Sequence, residues 1–265
     1  MNIQRWVREN HRSTDCAVVT GSTSGIGQNY AEELAKLGCN LICISNEADS
    51  LQKHKTLWES KYGIKVINHE IDLRDSDKTI ALSQTLPVSN ISILINNAGF
   101  GLKGTFEKNP AEIYADIIKV NAIAPVVLAR AVLPAMQQRN QGLCIHISSI
   151  NSLLPIPKNQ VYTATKAFLT SYALATSREN KHTKIDFQIV LPGTTKTPFH
   201  DRQGAKPAHM TMTPEDVVKY SFGNVKRTFC IPNPADRVLA RLIPFLPMNF
   251  KMDLAAFILA KRLGI

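Results

Sequence analysis

Two short stretches carry side chains whose types and spacing could do chemistry. Tyr162-Thr163-Ala164-Thr165-Lys166 sets a phenol and an ammonium four residues apart. On a helix such positions share a face, so the two groups can meet. A free phenol ionises near pH ~10, and a neighbouring cation favours the phenolate, moving it toward the range useful for proton transfer. Upstream, Thr20-Gly21-Ser22-Thr23-Ser24-Gly25-Ile26-Gly27 follows an apolar run and leads straight into a helical one. Glycines there let the backbone turn sharply and approach a pyrophosphate with no Cβ in the way. The free N–H groups of the helix start then favour its negative charge. The spacing is not GxGxxG, and no Gly-Lys-Ser/Thr follows to make a P-loop. Each stretch also has a plain reading, a solvated helix face for the pair and a tight strand-to-helix connection for the glycines.

What must hold these groups is an alternation of short apolar runs with longer amphipathic ones. Residues 16–20, 40–45, 64–70, 91–96, 143–148 and 185–191 read as strands. Ala17-Val18-Val19 and Ile93-Leu94-Ile95 are apolar without alternation, the pattern of a parallel strand covered on both faces. Helices are predicted near 25–38, 47–62, 75–85, 110–138 and 158–181. In the first, Ile26, Tyr30, Leu34 and Leu37 keep helical spacing and Gly38 makes the stop. This order implies an α/β fold, a doubly wound parallel sheet with helices on both faces and ligands at the carboxyl ends of its strands. No linker or repeat divides residues 1–265, so a single domain is expected. Within it 194–212 reads as a loop over the substrate. Thr213-Pro214-Glu215 then opens a further helix, with Thr213 as N-cap and Pro214 at its first position.

Apolar residues make up 44% and charged residues 20%, a balance that excludes a disordered chain. Cys16, Cys39, Cys43, Cys144 and Cys230 are odd in number and form no CxxC pair, so they read as reduced core residues and no metal site is expected. The net charge of +10 suits an anionic membrane, nucleic acid or a phosphate-bearing small molecule, or it serves solubility alone. No nucleic-acid module or aromatic-basic stripe is present, so a nucleic-acid partner is not expected. MNIQRWVREN lacks the apolar core of a signal peptide, and no run of ~18 apolar residues suggests a membrane span. A cytoplasmic protein is expected, peripheral to a membrane if its tail meets lipid.

Taken in order, the motifs resemble the short-chain dehydrogenase/reductase superfamily over about residues 14–200. They are the glycine turn, Asn96-Asn97-Ala98-Gly99 after the fourth strand, Asn121, Ser148-Ser149, Tyr162-x-x-x-Lys166 and Pro192-Gly193. The text around Tyr30-Ala31-Glu32-Glu33-Leu34-Ala35-Lys36 is most similar to the 3-oxoacyl-CoA reductase and 17β-hydroxysteroid dehydrogenase branch. The resemblance implies a Rossmann-type sheet, a nicotinamide cofactor and a catalytic set of Asn121, Ser149, Tyr162 and Lys166. Tyr162 would protonate the nascent alkoxide, Ser149 would orient the substrate oxygen, and Lys166 would lower the Tyr pKa and hold the nicotinamide ribose. Asn121 would hold a water that relays protons to Lys166. For the cofactor it implies Gly21, Ser24, Gly25, Ile26 and Gly27 around the pyrophosphate, Asp72 and Leu73 at the adenine, and Asn97, Ala98 and Gly99 beside the adenosine ribose. Pro192, Gly193, Thr195 and Thr197 would lie at the nicotinamide. The second strand ends Ile44-Ser45-Asn46-Glu47 without an acid at the usual position to repel a 2′-phosphate. Ser22, Ser45 and Asn46 could bind that phosphate, so NADP(H) is favoured over NAD(H).

The loops after strands four, five and six are apolar, with Phe100, Leu102, Ile150, Ile156, Phe199 and Met212, and suit a hydrophobic carbonyl or alcohol from lipid metabolism. His200, Arg202, Lys206 and His209 add charge that could meet a phosphate-bearing carrier or simply face solvent. The extension 234–265 is apolar and basic. It is expected to bury its apolar side on another subunit of a homo-oligomer or on a membrane surface. The function expected is hydride transfer between NAD(P) and a hydrophobic ketone or 3-oxoacyl thioester. The alternative is a dinucleotide-binding scaffold or sensor without turnover.

Overall fold

The computed structural model describes residues 1–199 and 212–263. The chain opens with helix α1 (Ile3–Asn10) and then alternates: β1 (Cys16–Thr20), α2 (Gly25–Lys36), β2 (Asn40–Ser45), α3 (Ala48–Tyr62), β3 (Val66–Glu70), α4 (Ser76–Thr85) and β4 (Ile91–Asn96). There follow α5 (Ala111–Ile118), a π-turn (Lys119–Ile123) and α6 (Ala124–Arg139) in one continuous run, then β5 (Gly142–Ile147), α7 (Gln160–Glu179) and β6 (Ile185–Val190). After residue 212 come α8 (Pro214–Gly223), β7 (Phe229–Cys230), α9 (Pro234–Leu242) and α10 (Met248–Leu263).

The strands form one parallel sheet in the order β3-β2-β1-β4-β5-β6-β7. This is the doubly wound, Rossmann-type architecture that the alternation predicts. The order reverses between β1 and β4, which opens a crevice at their carboxyl ends. Ala17 and Val19 of β1 face one apolar layer with Trp6, Tyr30, Leu34, Trp58 and Phe222, supplied by α1, α2, α3 and α8. Val18 faces the other, with Leu82, Leu128, Val132, Met136 and Phe187. Both faces of β1 are therefore covered, and its lack of alternation follows from that.

Several helix ends obey their local chemistry. Gly38 takes a left-handed φ of +77° just after α2. Thr213 and Asp216 form a reciprocal capping box at the start of α8, with Pro214 next to the cap as expected. Two elements are additional to the sequence reading. Helix α1 is pinned by Trp6, whose indole donates to Asp186 at 2.7 Å. Strand β7 is only two residues long.

The Ala111–Arg139 run corrects the expectation about hydropathy, since it is long and apolar enough to cross a bilayer by length and composition. Half of its most apolar stretch is buried in this fold, where α6 packs on β4, β5 and α4. The tail is also partly accounted for within the chain. Leu239, Ile243 and Ala255 pack against Leu153, Leu154 and Ile156 of the segment after β5. Leu242, Phe245, Met248, Phe250 and Phe257 remain exposed.

Candidate active site

The carboxyl ends of β1 to β6 line a cavity of about 680 Å³, a size typical of small-molecule sites. At its floor the chain turns from β1 into α2. Gly21 (φ +63°) and Gly25 (φ +57°) occupy left-handed conformations that a side chain would resist. Gly27 sits so close to this turn that a Cβ there would collide with the Gly21 carbonyl and the Asn97 carboxamide. The end of β4 braces the same turn. Asn97 Nδ2 donates to Thr20 O at 2.9 Å, and the Asn97 and Ala98 amides both donate to Thr20 Oγ1 at 2.9 Å.

The first turns of α7 deliver Tyr162 and Lys166, and the end of β5 delivers Ser149. Ser148, one residue earlier, ties the two elements together by donating to Lys166 O at 2.9 Å and pairing with Thr170 at 2.7 Å. Lys166 Nζ donates to Ile147 O at 2.9 Å and lies 5.8 Å from the centre of the Tyr162 ring. Ser149 Oγ accepts from Asn151 N at 3.1 Å. Asn121 lies in the π-turn, a deviation that turns a helix's side chains out of their regular phase. Its Oδ1 accepts from Phe100 N at 3.1 Å, and its Nδ2 donates to Phe100 O at 2.9 Å and Thr165 Oγ1 at 3.1 Å. Both amide protons are thus committed to joining the loop after β4 to α7. A water handled by Asn121 would have to use the remaining lone pair of Oδ1 or the backbone.

Burial dominates the electrostatics. It pushes the Tyr162 phenol up to about 12, with the neighbouring Ser149 hydroxyl working the other way. It pushes the Lys166 ammonium down to about 8. Around the phenol burial is the larger influence, and the Lys166 ammonium is directed to the Ile147 carbonyl.

The cavity collects most of the expected cofactor residues. Gly21, Ser24, Gly25, Ile26, Ser45, Asn46, Asp72, Leu73, Asn97, Ala98, Gly99, Pro192, Gly193, Thr195 and Thr197 all line it, as do Ser149, Tyr162 and Lys166. Three expected residues do not. Ser22 is buried beside Cys43 and is not part of the lining. Gly27 lies behind the turn, and Asn121 lies behind Gly99. Thr23 is in the lining instead of Ser22, its hydroxyl 2.9 Å from that of Ser45. Phe199, expected on the substrate side, lines the cavity, and Arg74 and Asn159 also line it and were not anticipated. Arg74 is held by the carboxylate of Asp72, which stays below its usual pKa chiefly through that hydrogen-bonded contact. The Phe199 ring lies 5.6 Å from that of Tyr162, centre to centre. Thr195 pairs with Met212 as an isolated bridge at the base of the expected lid. His200, Arg202, Lys206 and His209 lie outside the described residues. From behind, α9 presses the Asp236 carboxylate against Gly193, so a Cβ at 193 would collide with it.

A family model described as short chain dehydrogenase matches residues 15–208. The chain belongs to that family. Short-chain dehydrogenases are NAD(P)-dependent oxidoreductases, and the glycine turn fits such a cofactor, because it leaves free of side chains the space that a pyrophosphate needs. Gly21, Gly25 and Ile26 would hold that group, with Asp72 and Leu73 toward the adenine and Lys166 toward the nicotinamide ribose. Among curated relatives, the very-long-chain 3-oxoacyl-CoA reductase of Laccaria bicolor is 34% identical over 167 residues, 62% of this chain and 49% of the relative. That of Homo sapiens is 31% identical over 213 residues, 79% and 68% respectively. The chain spans about half to three-fifths of the first relatives it matches. A solved short-chain dehydrogenase from Sphingobium yanoikuyae, in complex with NADPH, is 26% identical and superposes with a TM-score of 0.78 over 88% of this chain and 96% of that one. A 7β-hydroxysteroid dehydrogenase shares the fold at 19% identity, with a TM-score of 0.83 over 96% and 99%.

Proposed function

We propose that this short-chain dehydrogenase reduces a hydrophobic ketone, or the 3-oxo group of an acyl thioester, with NADPH. One observation carries the reading. A single cavity has a glycine turn at one end, while Phe100, Leu102, Ile113, Ile150 and Phe199 share the other with Ser149 and Tyr162. When bound, the nicotinamide supplies the hydride. Tyr162 gives its proton to the carbonyl oxygen as negative charge develops there, and Ser149 holds that oxygen by a hydrogen bond. Lys166 holds the ribose hydroxyls and keeps a positive charge near the phenolate left behind. Asn121 keeps the loop after β4 and helix α7 in register with each other. Residues 1–265 act as one catalytic domain in this reading, and most of the expected lid, 200–211, lies outside the described residues.

NADPH is preferred in this reading because Ser45 and Asn46 stand at the end of β2 where an acid would repel a 2′-phosphate. Steady-state kcat/KM with NADPH and NADH, over ketones of rising chain length and a 3-oxoacyl thioester, tests it. NADPH is expected to give the higher values, and Ser45→Asp to move the preference toward NADH. An NADH preference in the unaltered protein overturns the cofactor assignment. Cofactor binding without turnover of any carbonyl overturns the reductase and leaves the scaffold or sensor.

In this reading the protein is cytoplasmic and meets a membrane surface through its tail. Exposed Ile118, Ile123 and Phe168 on the α5–α7 side suit a second copy of the chain. Exposed Phe245, Met248, Phe250 and Phe257, with Arg241 and Lys251 on the same segment, suit an anionic lipid surface.

A further inference from the structure

Gly193 is a glycine for reasons of space. Its backbone is not in the left-handed region that favours glycine. What forbids a side chain there is Asp236 of α9, since a Cβ on Gly193 would collide with that carboxylate, and its three nearest neighbours would all be atoms of Asp236. Asp236 is 9% exposed and is not part of the cavity lining, so the Cβ would point away from the cavity. An acid in the first turn of a helix commonly serves the helix start. Here Asn233 caps α9, accepting from Ala235 N at 2.8 Å and from Asp236 N at 3.3 Å, and the Asp236 carboxylate is laid against the exit of β6 instead.

The wall that begins at Pro192 and Gly193 is tied down along its length. Pro192 O accepts from Ile150 N at 3.1 Å, which joins the wall to the segment carrying Ser149. Thr195 Oγ1 donates to Gly193 O at 3.1 Å, and Thr195 bridges to Met212. Thr197 reaches the glycine turn, where a Cβ on Gly25 would come within 3.0 Å of its Cγ2. The wall therefore runs from the Ser149 end of the cavity to the pyrophosphate turn, along the nicotinamide half. Gly193 brings no side chain to pack, and Asp236 is what stands behind it. Helix α9 is itself fixed on either side of that residue. The Arg237 guanidinium lies 5.0 Å from the centre of the Tyr220 ring of α8, and Leu239 packs with Leu154, Ile156 and Ile243.

We propose that Asp236 is a positioning residue for the cofactor: its carboxylate props the Gly193 backbone from behind and so sets the wall on which the nicotinamide end rests. The two residues are complementary in size, an absent side chain facing a buried one. Packed interiors yield little to a gain or loss of such volume, so a change at either residue is passed to the other. The role belongs to the half of the cavity that NADPH and NADH share. It is independent of which of them the protein prefers and of the carbonyl it reduces.

The test titrates the full-length protein calorimetrically with NADPH, NADH and ADP-ribose, which lacks the nicotinamide, and reads Tm beside each Kd. The variants are Asp236→Ala, Asp236→Asn, Gly193→Ala, and Gly193→Ala combined with Asp236→Ala. Asp236→Ala should weaken NADPH and NADH alike by about 3- to 10-fold and leave ADP-ribose within about twofold. Asp236→Asn keeps the shape of the prop and should stay near the wild type. Gly193→Ala should weaken both dinucleotides more than Asp236→Ala does. The combined variant should return to the level of Asp236→Ala, because the new Cβ takes the space the carboxylate leaves, and contacting residues are not additive. If Gly193→Ala does not fold, the combined variant against Asp236→Ala still decides. A fall in Tm with every Kd unchanged assigns Asp236 to stability alone and overturns the proposal. So does an ADP-ribose loss equal to that of NADPH, an Asn variant as damaged as the Ala variant, or losses that multiply in the combined variant.

Discussion

Lys166 is buried with its ammonium on the Ile147 carbonyl, and burial holds its pKa at about 8. As pH rises through that value the charge beside the phenol disappears, so kcat/KM for reduction should fall on the alkaline side with an apparent pKa near 8. The stability contribution has the opposite sign. The folded-state pKa lies below the ordinary lysine value, so the unfolded chain binds more protons between about pH 8 and 10.5, and folding gains from Lys166 as pH rises across that window. Lys166→Met should abolish the alkaline limb and weaken cofactor binding. A profile with the limb intact in the Met variant would show that another group titrates. Tyr162→Phe should lower kcat by about 10² to 10⁴-fold and leave cofactor Kd nearly unchanged, since the ring is kept and only the proton is lost. Near-normal kcat in that variant would remove Tyr162 as the acid. Tyr162 and Lys166 were legible in the sequence because one helix turn carries both. Arg74 and Asn159 were not, because each arrives singly from a different segment and only the folded cavity gives them a common address.

At the level of elements, α1 shows what periodicity misses. Only Ile3, Trp6 and Val7 of its eight residues are buried, too few to mark a helix in advance. Its fixing point is tertiary. Trp6 is fully buried, and Asp186, which accepts its indole hydrogen bond, also pairs with Lys226 at 3.0 Å. Trp6→Ala should therefore cost about 3–5 kcal/mol, as deletion of a buried aromatic does. Urea unfolding measures it, and a loss under 1 kcal/mol would mean that α1 contributes little to the fold. The β-strands were readable because parallel strands buried on both faces are apolar throughout. Strand β7, two residues long, offers no period to read. The π-turn was hidden for another reason: it differs from α-helix by one hydrogen-bond register, and no residue type marks that choice.

At the scale of the whole molecule, α9 and α10 leave Leu242, Phe245, Phe250 and Phe257 exposed as an apolar surface. Burial of one Phe-sized side chain is worth about 1.5–3 kcal/mol. Changing Phe245, Phe250 and Phe257 together to Ser should thus lower partition onto anionic vesicles by at least tenfold while leaving activity on a short ketone unchanged. Flotation with phosphatidylglycerol vesicles against phosphatidylcholine alone measures this. A wild type that floats with neither, but loses its dimer in the triple variant, would assign the surface to a second subunit. The tail's composition was plain in the sequence, but its division into a side packed on Leu154 and Ile156 and a side left outward was not, because both sides are apolar. The contact of Asp236 with Gly193 gives that surface a thermodynamic meaning. The Asp236 carboxylate of α9 rests directly on the Gly193 backbone at the cavity wall, so a shift of one is felt by the other. If lipid bound to the tail changes the affinity for cofactor, the cofactor must change the affinity for lipid by the same factor. Two independent titrations, cofactor with and without vesicles and vesicles with and without cofactor, should then return one coupling constant.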